Sequence, residues 1–211
     1  MLIQNNILYL ASRSKTRQNL LKKSHIPFIA LDQNICEPDL NHELSIEDNL
    51  KNIVLSKINQ VKLSFFNPNI VDQGYKFVLA ADTLGQDFNN KISGKPKDYD
   101  DAVLMLKSLK NKINVCATAF VLDKRIYNLN TNSWMVVNRI TRVVKSEYIF
   151  NISDNYIDYY IKNSMALQAS GSITIEDIGM QFLKCINGSY SSILGLPLFE
   201  LREELEKLNF F

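Results

Sequence analysis

Residues 7–23 read ILYLASRSKTRQNLLKK, and this stretch decides the fold class. Ile7 to Ala11 is a short continuous apolar run, as expected of a buried strand. Ser12 to Ser14 turn the chain, and a helix over about 15–23 follows, carrying Leu20 and Leu21. A strand delivered directly into a helix is the opening of an α/β unit, and the rest of the chain repeats the alternation. Ile26 to Leu31 reads as a second strand and 32–44 as polar loop. Ser45 and Asp48 form a capping-box-like pair at the start of a long helix, with Ile46, Leu50, Ile53, Val54, Ile58 and Val61 on one face and Asn67-Pro68-Asn69 as its stop.

Phe77 to Ala81 is an apolar strand, and Asn89-Asn90 a hairpin turn. Asp98, Asp100 and Asp101 favour a helix N-terminus ahead of Val103, Met105, Leu106 and Leu109. Ile113 to Leu122 is a strand, and 134–150 holds one or two more. Ser153 caps a helix with Ile157, Tyr160 and Ile161; Met180 to Ile186 alternates like a strand; Asn187-Gly188 is a turn. Pro197 suits the first position of a final helix bearing Leu198, Leu201, Leu205 and Leu208. The class is α/β or α+β with a mixed sheet.

Composition sets the outer limits. The 211 residues are 46% apolar and 22% charged, which is globular rather than disordered composition and long enough for one self-sufficient core, so residues 1–211 are read as a single domain. Lys and Arg total 24 against 22 Asp and Glu, a balance that gives no general reason to bind nucleic acid or an anionic membrane. Cys36, Cys116 and Cys185 are odd in number and lie far apart, so reduced thiols are expected; with only His25 and His42 there is no zinc-type set. No signal peptide and no apolar run of membrane-spanning length is present, so a soluble, cytoplasmic protein is expected.

Four segments place reactive residues where strands end. Ser12-Arg13-Ser14-Lys15-Thr16-Arg17 puts hydroxyls and cations at a strand-to-helix junction, where free N–H groups favour anions; a solvated helix start is the alternative. Ala80-Ala81-Asp82-Thr83 places a carboxylate at the expected C-terminal end of a strand, suited to a metal ligand or base, or to a simple turn cap. Gly94-Lys95-Pro96 aims a lysine between a flexible and a rigid residue, or is an ordinary turn. Four of the seven glycines fall between 171 and 195, around Glu176, and line a pocket or make tight turns.

Taken in order, Leu10-Ala11-Ser12-x-Ser14-x-x-Arg17, Ile26-Pro27-Phe28, a lone Glu37, Ala81-Asp82-Thr83, Gly94-Lys95-Pro96, Gly188-x-Tyr190-Ser191 and Gly195-Leu196-Pro197-Leu198 resemble the Maf family of nucleoside triphosphate pyrophosphatases, from Leu8 to about Leu205. The resemblance implies a two-lobed, mixed-sheet α/β fold related to the inosine triphosphatases, with a nucleotide cleft between the lobes, and dimers are common in the family. It implies hydrolysis of nucleoside triphosphates, non-standard or in excess, to a monophosphate and pyrophosphate. Asp82 is then the proton acceptor, and Glu37 with Asp82 holds a divalent cation, Mg²⁺ or Mn²⁺, as suits oxygen ligands. Ser12, Arg17 and Lys95 match the phosphate contacts, and Lys57 matches a substrate-binding lysine on the long helix, with an ordinary exposed helix lysine as the alternative. Thr83 and Glu176 match positions that vary between family branches and read the base.

The chain departs from the family pattern at informative places. Ser-Pro-Arg-Arg becomes Ser14-Lys15-Thr16-Arg17, and an ammonium at Lys15 cannot make the planar bidentate contact of an arginine. Lys-Ala-Gly becomes Ala169-Ser170-Gly171, and Ile173 replaces a common aromatic; residues 125–146 exceed the usual length. These departures favour the alternative of a catalytically weakened nucleotide-binding regulator of cell division; retained Glu37, Asp82 and Lys95 oppose it. A nucleic-acid-binding module is a third reading. On base choice, Glu176 belongs to the 7-methylguanosine triphosphate branch and Thr83 to the pyrimidine branch. A carboxylate pairs readily with the two adjacent donors of guanine and opposes a carbonyl of uracil, so guanine-type triphosphates are expected to be preferred.

Overall fold

The computed structural model describes residues 6–63 and 74–211 of the chain. Strand β1 (Leu8–Leu10) passes into helix α1 (Lys15–Lys23), then β2 (Phe28–Ala30), α2 (Ile46–Asn59), β3 (Lys76–Gln86), β4 (Ile92–Ser93) and α3 (Tyr99–Leu109). A long hairpin of β5 (Ile113–Asn128) and β6 (Ser133–Phe150) follows, then α4 (Asp154–Lys162), three short 3₁₀ turns at 166–181, β7 (Leu183–Asn187), α5 (Tyr190–Ile193) and α6 (Leu198–Lys207). The sheet is mixed and seven-stranded in the order β2-β1-β3-β5-β6-β7, with β4 paired to β3. β1 runs parallel to β2 and β3; the other pairs are antiparallel. The expected mixed-sheet α/β class is the observed one.

Helix starts follow the local chemistry. Ser14 Oγ accepts from Arg17 N, Ser45 Oγ from Asp48 N, and the Asp98 carboxylate from Asp101 N, each satisfying an otherwise unpaired N–H. Ser153 occupies the N-cap position of α4 without a side-chain cap bond.

Both faces of the sheet are covered. On one, α1 and α6 pack Leu20, Leu21, Leu201 and Leu205 against Leu8, Leu79 and Phe120. On the other, α2 packs Ile46, Leu50, Val54 and Ile58 against Val78, Ala80 and Val121. A third cluster joins α3 and α4 to the end of β6 through Leu106, Phe150, Ile157 and Tyr160.

Several boundaries differ from the sequence expectation. α2 ends at Asn59, well short of residues 67–69, which lie outside the described residues. The 134–150 region is one strand, the simpler of the two expected arrangements, whereas the alternation at 180–186 resolves into a 3₁₀ turn to Gln181 followed by β7. Most relevant to function, β3 does not stop before Asp82 but runs on to Gln86, because β5 pairs with it residue for residue from Lys76 to Gln86. What ends is its other neighbour: β1 leaves the sheet after Leu10, opposite Leu79. Asp82 therefore lies within a strand, beside a gap in the sheet.

Candidate functional site

That gap opens into a cleft of about 690 Å³. Its lining includes Ser12–Arg17 from the β1–α1 junction, Glu37 from the polar loop, Lys57 from α2, Asp82 and Thr83 from β3, Lys95, and the segment from Ala169 to Glu176. All eight residues singled out from the sequence line this one cleft.

At its floor, one ammonium joins two carboxylates. Lys57 Nζ lies 2.6 Å from Asp82 Oδ1 and 2.8 Å from Glu37 Oε1. The Lys57 side chain is 7% exposed, so burial of its charge is compensated by both partners. Burial alone would raise the Glu37 carboxyl, but Lys57, with Lys95 and Arg17 beyond it, holds it below its ordinary value.

Arg17, on the buried face of α1, has a partner for each of its three side-chain nitrogens. Its Nε donates to the Gly195 carbonyl at 2.8 Å, Nη1 to Ser12 Oγ at 3.3 Å and Nη2 to Thr83 Oγ1 at 3.1 Å; Nη2 lies 3.9 Å from Asp82 Oδ1. Burial works against its charge and the Asp82 and Glu37 carboxylates favour it. Thr83 sits directly opposite Thr118 in the β3–β5 ladder, their hydroxyls are 2.9 Å apart, and Thr118 Oγ1 donates to the Ser192 carbonyl. The Thr83 hydroxyl is thus occupied between Arg17 and Thr118. Gly195 has φ +104°, and a Cβ there would meet Thr83 Oγ1 at 3.3 Å, so a glycine is required where the backbone reaches Arg17.

The remaining cations, Arg13, Lys15 and Lys95, are exposed at the cleft edge. Glu176 is half-buried and precedes the 3₁₀ turn Asp177–Gln181. Ser170 ties this wall to the rest: its Oγ accepts from Gly85 N at 2.9 Å and donates to the Ser93 carbonyl at 2.6 Å, while Gly171 N donates to the Gly94 carbonyl. The segment leading to Glu176 is thereby fastened to the strand carrying Asp82 and to the turn carrying Lys95.

Sequence reading did not single out Thr118, and it met Ser170 and Gly195 only as motif positions without the contacts they make. Each acts by position across the sheet, at separations of 35 to 178 residues from its partner, which no local motif signals.

The donor chemistry fits a divalent cation of the magnesium type. Glu37 and Asp82 offer hard carboxylate oxygens, their separation is already spanned by one cationic group, and such ions complete their shells with water and phosphate oxygens rather than with a protein cage. Among the described residues no cluster of three or more His, Cys, Asp or Glu is placed to hold a metal.

The chain is 34% identical over 195 residues to a dTTP/UTP pyrophosphatase of Alkaliphilus oremlandii, covering 92% of each. It is 30% identical over 203 residues to a dTTP/UTP pyrophosphatase of Fusobacterium nucleatum, covering 96% of each. A nucleoside triphosphate pyrophosphatase of Prochlorococcus marinus is 27% identical, over 95% of this chain and 98% of that one. The model of the Maf-like proteins matches residues 7–208, so the chain belongs to the Maf family.

Proposed function

We propose that the protein hydrolyses nucleoside triphosphates to a monophosphate and pyrophosphate. The observation that carries this reading is the Asp82–Lys57–Glu37 arrangement on the floor of a cleft edged by cations and the start of α1. A water attacks the α-phosphorus, the bond from that phosphorus to the bridging oxygen of the β-phosphate breaks, and pyrophosphate departs. Asp82 takes the proton from the water through Oδ2, since Lys57 holds Oδ1. Glu37 and Asp82 would hold the divalent cation, which supplies charge neutralisation on the phosphates when bound.

Arg17 contributes as a fixed positive charge behind Asp82 rather than as a movable clamp, because each of its three nitrogens is tied, to Gly195, Ser12 and Thr83. Preoriented charge of this kind stabilises developing negative charge without reorganisation. Lys15 and Lys95, exposed at the cleft edge, would meet the β- and γ-phosphates, and Lys15 would then supply the charge missing from the arginine motif. Thr83 acts through Arg17, which leaves Glu176 as the base-facing group.

Glu176 taken alone favoured guanine-type bases; the relatives' names weigh against that expectation, and we adopt uridine and thymidine triphosphates as the substrate class. Glu176 would then accept the single N3–H, and Glu176→Gln should raise kcat/KM for UTP by removing the carboxylate–carbonyl opposition. Pyrophosphate release measured across UTP, dTTP, CTP, GTP, ATP and 7-methylguanosine triphosphate, with Mg²⁺ or Mn²⁺, tests the proposal. Release from UTP and dTTP above the others supports it. Binding without release would favour the nucleotide-binding regulator, and a tenfold preference for guanine-type triphosphates would return base choice to the guanosine branch.

A further inference from the structure

Tyr160 is buried on α4 and does not line the cleft, yet its hydroxyl is attached to the segment that ends in Glu176. Thr174 N donates to the Tyr160 oxygen at 2.7 Å. The hydroxyl proton faces the Ser172 carbonyl, the Thr174 carbonyl and Thr174 Oγ1, each at 3.2 Å. One phenol therefore serves two residues of a short, irregular stretch, in which Ser172 is held at φ +59°.

The ring is itself fixed. It packs 5.5 Å from Phe150 and edge-on to Phe182 at 5.8 Å, centroid to centroid. Phe182 closes the 3₁₀ turn that begins after Glu176, donating from its N to the Gly179 carbonyl, while Gly179 N donates to the Glu176 carbonyl. From the other side Gly179 presses on the same segment: a Cβ there would fall 1.8 Å from the Thr174 carbonyl oxygen. Glu176 is thus held between a hydroxyl anchor two residues before it and a glycine contact three residues after it.

We infer that Tyr160 is a positioning residue for base selection, its hydroxyl fixing Thr174 and so the place at which the Glu176 carboxylate meets the base. The inference rests on the proposed nucleotide-hydrolase reading, and on Glu176 as the base-facing group. Deleting one oxygen leaves the aromatic packing and every phosphate-side residue in place. The effect then falls on discrimination between bases, not on the chemical step. A lost hydrogen bond of this kind is a factor of about three to ten in an equilibrium.

The test is Tyr160→Phe, assayed for pyrophosphate release from UTP and from GTP, with dissociation constants for both nucleotides measured in parallel under Ca²⁺. The expected result is a three- to tenfold fall in the UTP-to-GTP ratio of kcat/KM, carried by KM, with kcat on saturating UTP within about twofold of the parent. A uniform loss on both nucleotides, with the ratio unchanged, would overturn the inference and leave Tyr160 a purely structural residue. Should Tyr160→Phe not accumulate as folded protein, Gly179→Ala displaces the same segment from the opposite side, and the same ratio decides. If the parent protein binds nucleotides but releases no pyrophosphate, the hydrolase reading fails on its own and the ratio of dissociation constants decides the positioning role. A parent protein that does not distinguish UTP from GTP in either measurement overturns the positioning role directly.

Discussion

Two clusters of charge lie at neighbouring points along α2, each centred on an aspartate and finished differently. Asp123 on β5 is fully buried and receives four N–H contacts: Nε and Nη2 of Arg125 at 3.0 and 2.7 Å, and Nε and Nη2 of Arg139 at 2.7 and 2.8 Å. Arg125 then spends its remaining donors on the Ile58 and Val61 carbonyls at the end of α2. One residue earlier on that helix, Lys57 reaches the other way to Asp82 and Glu37. Asp123 has both oxygens occupied and no route to solvent. Asp82 is half-buried, is held at Oδ1, and faces a cleft. Saturation, not charge, separates the carboxylate that holds the structure from the one that is available for chemistry.

The sharpest way to probe the open cluster is to withdraw the cation proposed for it. Excess EDTA is expected to abolish pyrophosphate release and added Mg²⁺ or Mn²⁺ to restore it, while the unfolding transition, set in part by the sealed cluster, stays near its place. Full turnover in excess chelator would remove Glu37 and Asp82 from any metal role.

Breaking the sealed cluster should cost stability. Asp123→Ala leaves two guanidinium groups facing each other without a counter-charge, and removal of one partner of a buried pair costs about 3–5 kcal/mol. The measurement is denaturant unfolding. A loss below about 1 kcal/mol would mean that water or a rearranged arginine compensates.

Asp82→Asn should do the reverse. It keeps shape and cannot take a proton, so turnover is expected to fall by on the order of 100-fold, about 2.7 kcal/mol of barrier, with nucleotide affinity and unfolding midpoint little changed. Near-normal turnover would exclude Asp82 as the base.

The mildest contrast is a third carboxylate, Glu204 on α6, buried and met by Arg142 and Lys207. Burial would raise its carboxyl, but Lys207 and Arg142 outweigh this and hold it below its ordinary value of 4.5. A lowered folded-state value contributes stability above pH 4.5 that disappears as the pH falls through the lower value. Because its partners are about half exposed, the contribution is below about 1 kcal/mol. Glu204→Gln should therefore be slightly less stable than the parent at pH 7 and indistinguishable from it near pH 3. A difference that persisted at pH 3 would show that packing, not charge, makes the contribution.

The two clusters also mark where the sequence could and could not be read. Asp82 was visible because Ala81-Asp82-Thr83 breaks an apolar run, and α1 and α2 were visible through Ser14, Ser45 and the spacing of their apolar residues. The same rule misplaced the ends of both central strands. Asp82 and the Asp123-Lys124-Arg125 triplet look like strand termini, yet β3 continues to Gln86 and β5 to Asn128. Charges end a strand when water must solvate them; here Lys57 and Arg139, from other elements, do so instead. Tyr160 reads as core by its spacing and is core. Its hydroxyl's partners, twelve and fourteen residues on, depend on a loop whose path has no periodicity to read.

Arg17 has a consequence for ionic strength. Its charge is enclosed and already oriented, so mobile salt screens it weakly, whereas Lys15 and Lys95 stand in solvent, where screening acts over about 8–10 Å at physiological salt. Capture of the triphosphate and its conversion should then respond differently to added KCl. KM is expected to climb steadily between 50 and 500 mM while kcat stays nearly level; a kcat that fell in step with affinity would place the exposed lysines, rather than the enclosed arginine, around the reacting phosphorus.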